Sequence, residues 1–198
     1  MSYLDKYAWR RLAAMRAKLC PERIGMYVYC LFCQTVKCAY VARVTEEMFG
    51  CRAILPKQVR HIWSKGKMID LESDLLPGYV FLYFDQKQER IWRFSSVDGV
   101  IRCLGKMPDG YELTGSDERF AMMLLSSGGV IGKTQVYREG DRIRVCQGAF
   151  EGLETKILKV NHRNAKMLIE IPFVHRPVRC WVEYEMVETK EEKPSGGV

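Results

Sequence analysis

Residues Tyr79-Val80-Phe81-Leu82-Tyr83-Phe84 form an uninterrupted aromatic and aliphatic run, entered through the turn Leu75-Leu76-Pro77-Gly78. Such a run offers no face to water, and it is far shorter than the roughly 20 residues that cross a bilayer. It must be a central strand covered on both sides, the core of a folded domain. The turn before it follows from the fixed φ of Pro77 and the freedom of Gly78.

The flanking sequence supplies the covers. Met26 opens a strand-like run (MYVYCLFC), and Gln34 to Phe49 reads as a helix with Val36, Tyr40, Val44 and Met48 on one stripe and Gly50 behind it. Cys51 to Leu55 is a short strand stopped by Pro56, and Lys57 to Asp74 suits an exposed hairpin or loop. Beyond the central strand, Gln86 to Ser96 reads as a helix, Val97-Asp98-Gly99 as a turn, Val100 to Leu104 as a strand and Ser116 to Ser127 as a capped helix. The order is that of an α+β sandwich over residues 26–127. Ahead of it, residues 1–25 form a basic extension with an amphipathic helix at 6–19, either a true extension or an upstream start codon.

Periodicity fails after Ser126, and 128–137 reads as a linker. From 138 to 188 the pattern is all β, with strands at Asp141 to Cys146, Thr155 to Asn161, Met167 to Ile171 and Val178 to Val182 and turns at Gly148, Gly152, Asn164 and Pro172. About fifty residues in short strands suit a small SH3-like barrel, and 189–198 is a flexible tail.

Little here calls for bond-making. Eight cysteines are expected as thiols, and only Cys30-Leu31-Phe32-Cys33 has ligand spacing, with no second pair to complete a metal site. Ser127-Gly-Gly-Val-Ile-Gly132-Lys133-Thr134 ends like a phosphate-binding loop, but it starts on Ser and is preceded by a helix. His61, His162 and His175 stand beside no nucleophile motif. No catalytic residue, metal or cofactor is expected. Without a long apolar run or an export signal, the chain reads as cytoplasmic, with no membrane partner, and as a monomer.

The charge is informative. The net +7 is concentrated in the first 25 residues, six bases against two acids, and in residues 156–179, where Lys156, Lys159, Arg163, Lys166, Arg176 and Arg179 stand against Glu170 alone. His162 and His175 lie among them. Met167, Ile169 and Ile171 alternate and bury one face, which sends the bases to turns and to the outer face of two hairpins. Such a ribbon could line a nucleic-acid groove; the alternative is a solubilising rim.

Taken together, the two halves resemble the NusG family of transcription elongation factors over residues 26–188. The first half carries Met26-Tyr27-Val28-Tyr29, Leu76-Pro77-Gly78-Tyr79-Val80-Phe81 and Val97-Asp98-Gly99-Val100. The second carries the KOW motif, Gly140-Asp141-Arg142-Ile143-Arg144-Val145 and Gly148-Ala149-Phe150-Glu151-Gly152, ending in Val182-Glu183-Tyr184. The resemblance implies a NusG N-terminal domain followed by a KOW barrel. It implies an apolar depression that docks on the RNA polymerase clamp, lined by Leu76, Pro77, Gly78 and Tyr79 with Tyr27 nearby. The family often has Phe in place of Leu76 and Trp in place of Met26, so the surface is less aromatic here. It also implies upstream-fork DNA contacts at Arg90, Trp92 and Arg93.

Within the family the chain looks most like LoaP-type antiterminators, which recognise a structured RNA leader through a basic KOW domain. The residues implied are Lys156, Lys159, His162, Arg163, Lys166, Arg176 and Arg179, and the partner would be nascent RNA. A general elongation factor whose KOW domain binds proteins, and a ribosome-associated or RNA-binding KOW protein, are the alternatives. The relative RfaH has a second domain that refolds into a helical hairpin; Pro172 and Pro177 would break such helices, so a permanent β-barrel is expected.

Overall fold

The computed structural model describes residues 26–64, 66–105, 110–139, 142–147, 150, 155–174 and 176–187. The expected basic helix at 6–19, the tail, His175 and much of the KOW glycine motif lie outside them. In chain order come β1 (Tyr27–Cys33), a 3-10 turn (Thr35–Lys37) running into α1 (Cys38–Phe49), β2 (Arg52–Ile54), β3 (Lys57–Ser64), β4 (Lys67–Asp74) and β5 (Tyr79–Phe84). A second 3-10 turn (Ile91–Ser96), β6 (Val100–Cys103) and α2 (Gly115–Ser126) follow. The remainder is β7 (Val130–Ile131), β8 (Thr134–Glu139), β9 (Arg142–Gln147), β10 (Lys156–Asn161), β11 (Lys166–Phe173) and β12 (Arg176–Met186).

The apolar run is the central strand expected of it. A four-stranded sheet has the order β2-β5-β1-β6, and β5 pairs antiparallel with both β1 and β2. Strand parity divides its side chains between two cores. Val28, Cys30, Phe81 and Tyr83 meet Phe120, Ala121 and Leu124 of α2, where the Tyr83 hydroxyl donates to the Ala121 carbonyl at 2.7 Å. Tyr29, Leu31, Val80 and Leu82 meet Val41 and Ala42 of α1 and the buried ring of Phe94. Each large side chain so buried contributes about 1.5–3 kcal/mol.

Several expectations need correction. The buried stripe of α1 is Cys38, Val41, Ala42 and Thr45, whereas Val36, Tyr40 and Met48 are exposed. Thr45 can be buried because its hydroxyl donates to the carbonyls of Val41 and Ala42, and a rule that counts only apolar residues misses it. Gln86 to Ser96 is helical only over the 3-10 turn Ile91–Ser96. Thr114 precedes α2 without a side-chain cap bond. Pro172 lies within β11, opposite Pro177 of β12, rather than in a turn.

The segment 128–137 carries two strands. β7 runs parallel to β3 and completes a three-stranded sheet of order β4-β3-β7, and β8 runs parallel to β12 and antiparallel to β9. β8 thereby enters a five-stranded C-terminal sheet of order β10-β11-β12-β8-β9. The hairpin β3–β4 is paired over its full length, Lys57 with Asp74 to Ser64 with Lys67.

The thiols follow strand parity. Cys30 and Cys33, three apart on β1, belong to opposite cores, so they cannot share a ligand. Among the described residues, no group of three or more His, Cys, Asp or Glu is placed to hold a metal ion. No helix among them is long and apolar enough to cross a membrane. After Ser127, the loop-like sequence leads into β7 and β8, not into a helix that could cradle a phosphate.

Candidate functional site

The turn before β5 builds an aromatic corner. Gly78 has φ +89°, and a Cβ there would stand 3.1 Å from the Cys33 carbonyl oxygen and 3.2 Å from the Phe32 ring, so the position needs glycine. The tight approach lets the Gly78 carbonyl accept from the Cys33 N–H at 2.7 Å. It also sets Tyr79 edge-on to Phe32, with ring centroids 5.3 Å apart. Arg102 lies over the Phe32 ring at 6.0 Å. Burial pushes the Tyr79 phenol up from its ordinary pKa, and the nearby Arg102 and Arg176 oppose that rise.

Of the five residues expected at this corner, the structure gathers some and separates others. Pro77 is exposed and Tyr79 half-buried, while Leu76 is buried in the core beneath them. Tyr27 is corrected. It pairs with Phe84, five residues along β1 from Phe32, roughly 17 Å away at strand rise, and it packs on the opposite core. Phe32, which the sequence reading passed over, takes its place. Its only sequence signal was the alternation along β1.

The corner is covered by the C-terminal sheet. Phe173, at the end of β11, is buried against Tyr79 (6.1 Å), Phe81 (5.6 Å) and Phe120 (5.9 Å), with Phe150 stacked on Phe120 at 6.4 Å. One apolar cluster therefore runs from the first sheet into the last. Beyond Phe173, the N–H of Val174 donates to Asp117 Oδ2 at 3.0 Å, and Val174 has φ +47°. A second clasp is polar. Glu183 of β12, 7% exposed, accepts from the His61 backbone N–H at 3.3 Å and lies 3.0 Å from His61 Nδ1, with Lys166 Nζ at 4.0 Å. His61 Nε2 is 3.5 Å from Asp70 on β4.

The basic residues are distributed rather than clustered. Lys156, Lys159, Lys166 and Arg179 share the outer face of the β10–β11–β12 ribbon. His162 and Arg163 sit on the 3-10 turn at one end, where the Asn161 side chain accepts from the Asn164 N–H and His162 Nδ1 lies 3.0 Å from the Tyr184 hydroxyl. Arg176 does not join that face. It opens β12 opposite Phe173, close enough to act on Tyr79. Arg179 Nε donates to Glu170 at 2.9 Å.

Arg90, Trp92 and Arg93 lie together at the second 3-10 turn. Phe94 anchors that turn, stacked on Phe84 at 5.7 Å and edge-on to Phe49 at 5.2 Å. Three residues per turn then carry Trp92 outward, and it is 70% exposed. Arg90 and Arg93 are exposed beside it, with Arg93 5.2 Å over the Phe49 ring.

No family model matches the chain. It is similar to the transcription termination/antitermination protein NusG of Streptococcus pyogenes serotype M3, 23% identical over 122 residues, which are 61% of this chain and 68% of that protein. The NusG proteins of Borreliella burgdorferi (21% over 132 residues, 62% of this chain and 72% of that protein) and Lactococcus lactis (24% over 127 residues, 61% and 66%) are similarly distant. Among solved structures it is similar to that of domain interaction in Thermotoga maritima NusG. The TM-score is 0.52 at 16% identity, covering 81% of this chain and 94% of that one. The chain is thus distantly similar in sequence to NusG transcription termination/antitermination proteins and similar in fold to the Thermotoga maritima protein.

Proposed function

We propose that the chain is a transcription antitermination factor of the NusG kind, acting by binding rather than by bond-making. The N-terminal domain docks on the clamp of RNA polymerase through Pro77, Gly78 and Tyr79 over Leu76, with Phe32 beside them. Arg90, Trp92 and Arg93 reach upstream-fork DNA, two cations and a stacking ring being suited to a single strand. The second domain, a KOW barrel, holds nascent RNA on its basic outer face and so confines read-through to target operons, as in LoaP-type factors. Binding one state of the elongating enzyme more tightly than another shifts it toward that state.

The observation that carries this reading is the aromatic corner at Phe32 and Tyr79, flanked by Arg102 and Arg176 and covered by Phe173 at the end of β11. An apolar corner built on a rigid strand and closed by a removable element suits a docking site. Tyr79 is half-buried, and moving Phe173 away would open the rest of its ring to polymerase.

The test is chromatin occupancy of the tagged chain beside that of polymerase, for the natural chain and for Tyr79→Ala. Signal on a few transcription units, lost with Tyr79→Ala, is expected. Signal on most genes would make it a general elongation factor. No polymerase-linked signal would point to the ribosome or free RNA.

A further inference from the structure

The outer face of the β10–β11–β12 ribbon carries apolar side chains that the core does not use. Register sends Ile157, Ile169 and Cys180, then Val160, Met167 and Val182, to the inner face. The outer face reads in three rows, namely Lys156–Glu170–Arg179, Lys159–Leu168–Trp181 and Asn161–Lys166–Glu183. Leu158 is the extra residue of a bulge in β10 beside the middle row. Trp181 is 37% exposed and Leu158 45% exposed, and Leu168 lies between their strands. Two strand spacings make the row about 10 Å wide, and each flanking row lies about 7 Å away.

The charges around this row favour one kind of occupant. Glu170 is held by Arg179, and Glu183 by His61 and Lys166, so both acids of the face are already paired. Lys156 and Lys159 are exposed, and among the described residues no ion pair takes either of them. An exposed indole with Leu158 and half-buried Leu168, bordered on the β10 side by two unpaired lysines, matches a polyanion that presents flat apolar surfaces. Unpaired RNA bases do so, whereas a duplex keeps its base faces stacked inside.

We propose that Trp181 is a stacking platform for an unpaired RNA base, with Leu158 and Leu168 beside it and Lys156 and Lys159 on the adjoining phosphates. The platform rests on the RNA-binding reading above and gives it a substrate class, looped or single-stranded RNA rather than a perfect duplex.

The test uses the full chain and two labelled probes, an RNA hairpin with an oligouridine loop and its blunt stem alone, with affinity read by fluorescence anisotropy over a salt series. Trp181→Leu should weaken hairpin binding about tenfold while leaving the stem and the salt slope unchanged, and Trp181→Phe should keep most of the affinity. Lys156→Gln with Lys159→Gln should weaken both probes and lower the salt slope by about one unit per lysine. In a chain with Trp9, Trp63 and Trp92 replaced by Phe, the hairpin should quench Trp181 fluorescence, a readout that does not depend on removing Trp181.

Unchanged hairpin affinity in Trp181→Leu, or unquenched Trp181 on binding, would overturn the platform and leave RNA binding standing if the lysine variants weaken it. A natural chain that binds neither probe would overturn the RNA reading and the platform with it.

Discussion

Burial gives the cysteines their character. Cys33, Cys51, Cys103 and Cys180 are pushed up to about 12 from an ordinary 9.0, chiefly because burial penalises the thiolate, and Cys30 is raised well above that ordinary value. Such thiols are neutral near pH 8 and poor nucleophiles. Cys30, Cys33, Cys38, Cys51, Cys103 and Cys180 should therefore react with a disulfide reagent at pH 8 at least tenfold more slowly in the native chain than in guanidinium; fast native labelling of any of them would contradict this. The sign of the linkage is also set. Each folded-state pKa lies above the unfolded one, so this stability is complete below pH 9.0 and is lost as pH climbs toward about 12. Urea midpoints should hold up to about pH 9 and fall steadily beyond it. That the cysteines are thiols rather than metal ligands was legible from the lack of a second ligand pair, but the parity that parts Cys30 from Cys33 needed the strand.

At the scale of elements, the 3-10 turn Ile91–Ser96 separates anchoring from presentation. Phe94 holds the turn in the core, so Trp92 can change without disturbing it. Trp92→Ala should leave the melting temperature within a degree or so, since exposed substitutions cost little. It should weaken binding to a forked DNA duplex by about 1–3 kcal/mol. Phe94→Ala should do the reverse, costing about 3–5 kcal/mol of stability through the cavity it leaves. Equal losses of stability in the two variants would show that Trp92 is a packing residue. The family resemblance picked out Arg90, Trp92 and Arg93 as a group, but the sequence read a full helix where five residues before the turn are irregular. Helical periodicity was inferred from a segment whose conformation is held by the single anchor Phe94.

Across the whole molecule, among the described residues, an apolar insertion at Phe173 ties the C-terminal sheet to the first sheet and a polar clasp at Glu183 ties it to β3 of the three-stranded sheet. Val174 is β-branched with φ +47°, a conformation that costs on the order of 1–3 kcal/mol and persists only where its surroundings hold it. Phe173 and the bond to Asp117 hold it here. Phe173→Ala should loosen the C-terminal sheet from the first, so that trypsin cuts between the sheets sooner and polymerase is retained better at equal concentration. His61→Ala should act in the same direction more weakly, because it removes a partner of the buried Glu183 at about 1.5–3 kcal/mol. Phe173→Ala with unchanged proteolysis and weaker polymerase binding would mean that the two sheets work as one rigid unit.

Much of this chain was determined locally. The apolar run Tyr79–Phe84, the Pro77-Gly78 turn, the antiparallel strands β10 to β12 and the excess of bases along them all follow from side-chain alternation and backbone sterics within a few residues. What the sequence left undecided was long-range. β7 and β8 find their partners in β3 and β12, far along the chain, and two residues of β7 carry no period by which to recognise a strand. The exclusion of Tyr27 from the corner, the admission of Phe32 and the placing of Phe173 over Tyr79 depend on which face of one sheet meets another. Local chemistry specifies elements because its interactions span a few bonds. Their covers are chosen by the tertiary structure, because burial rewards any apolar face that comes into contact with another.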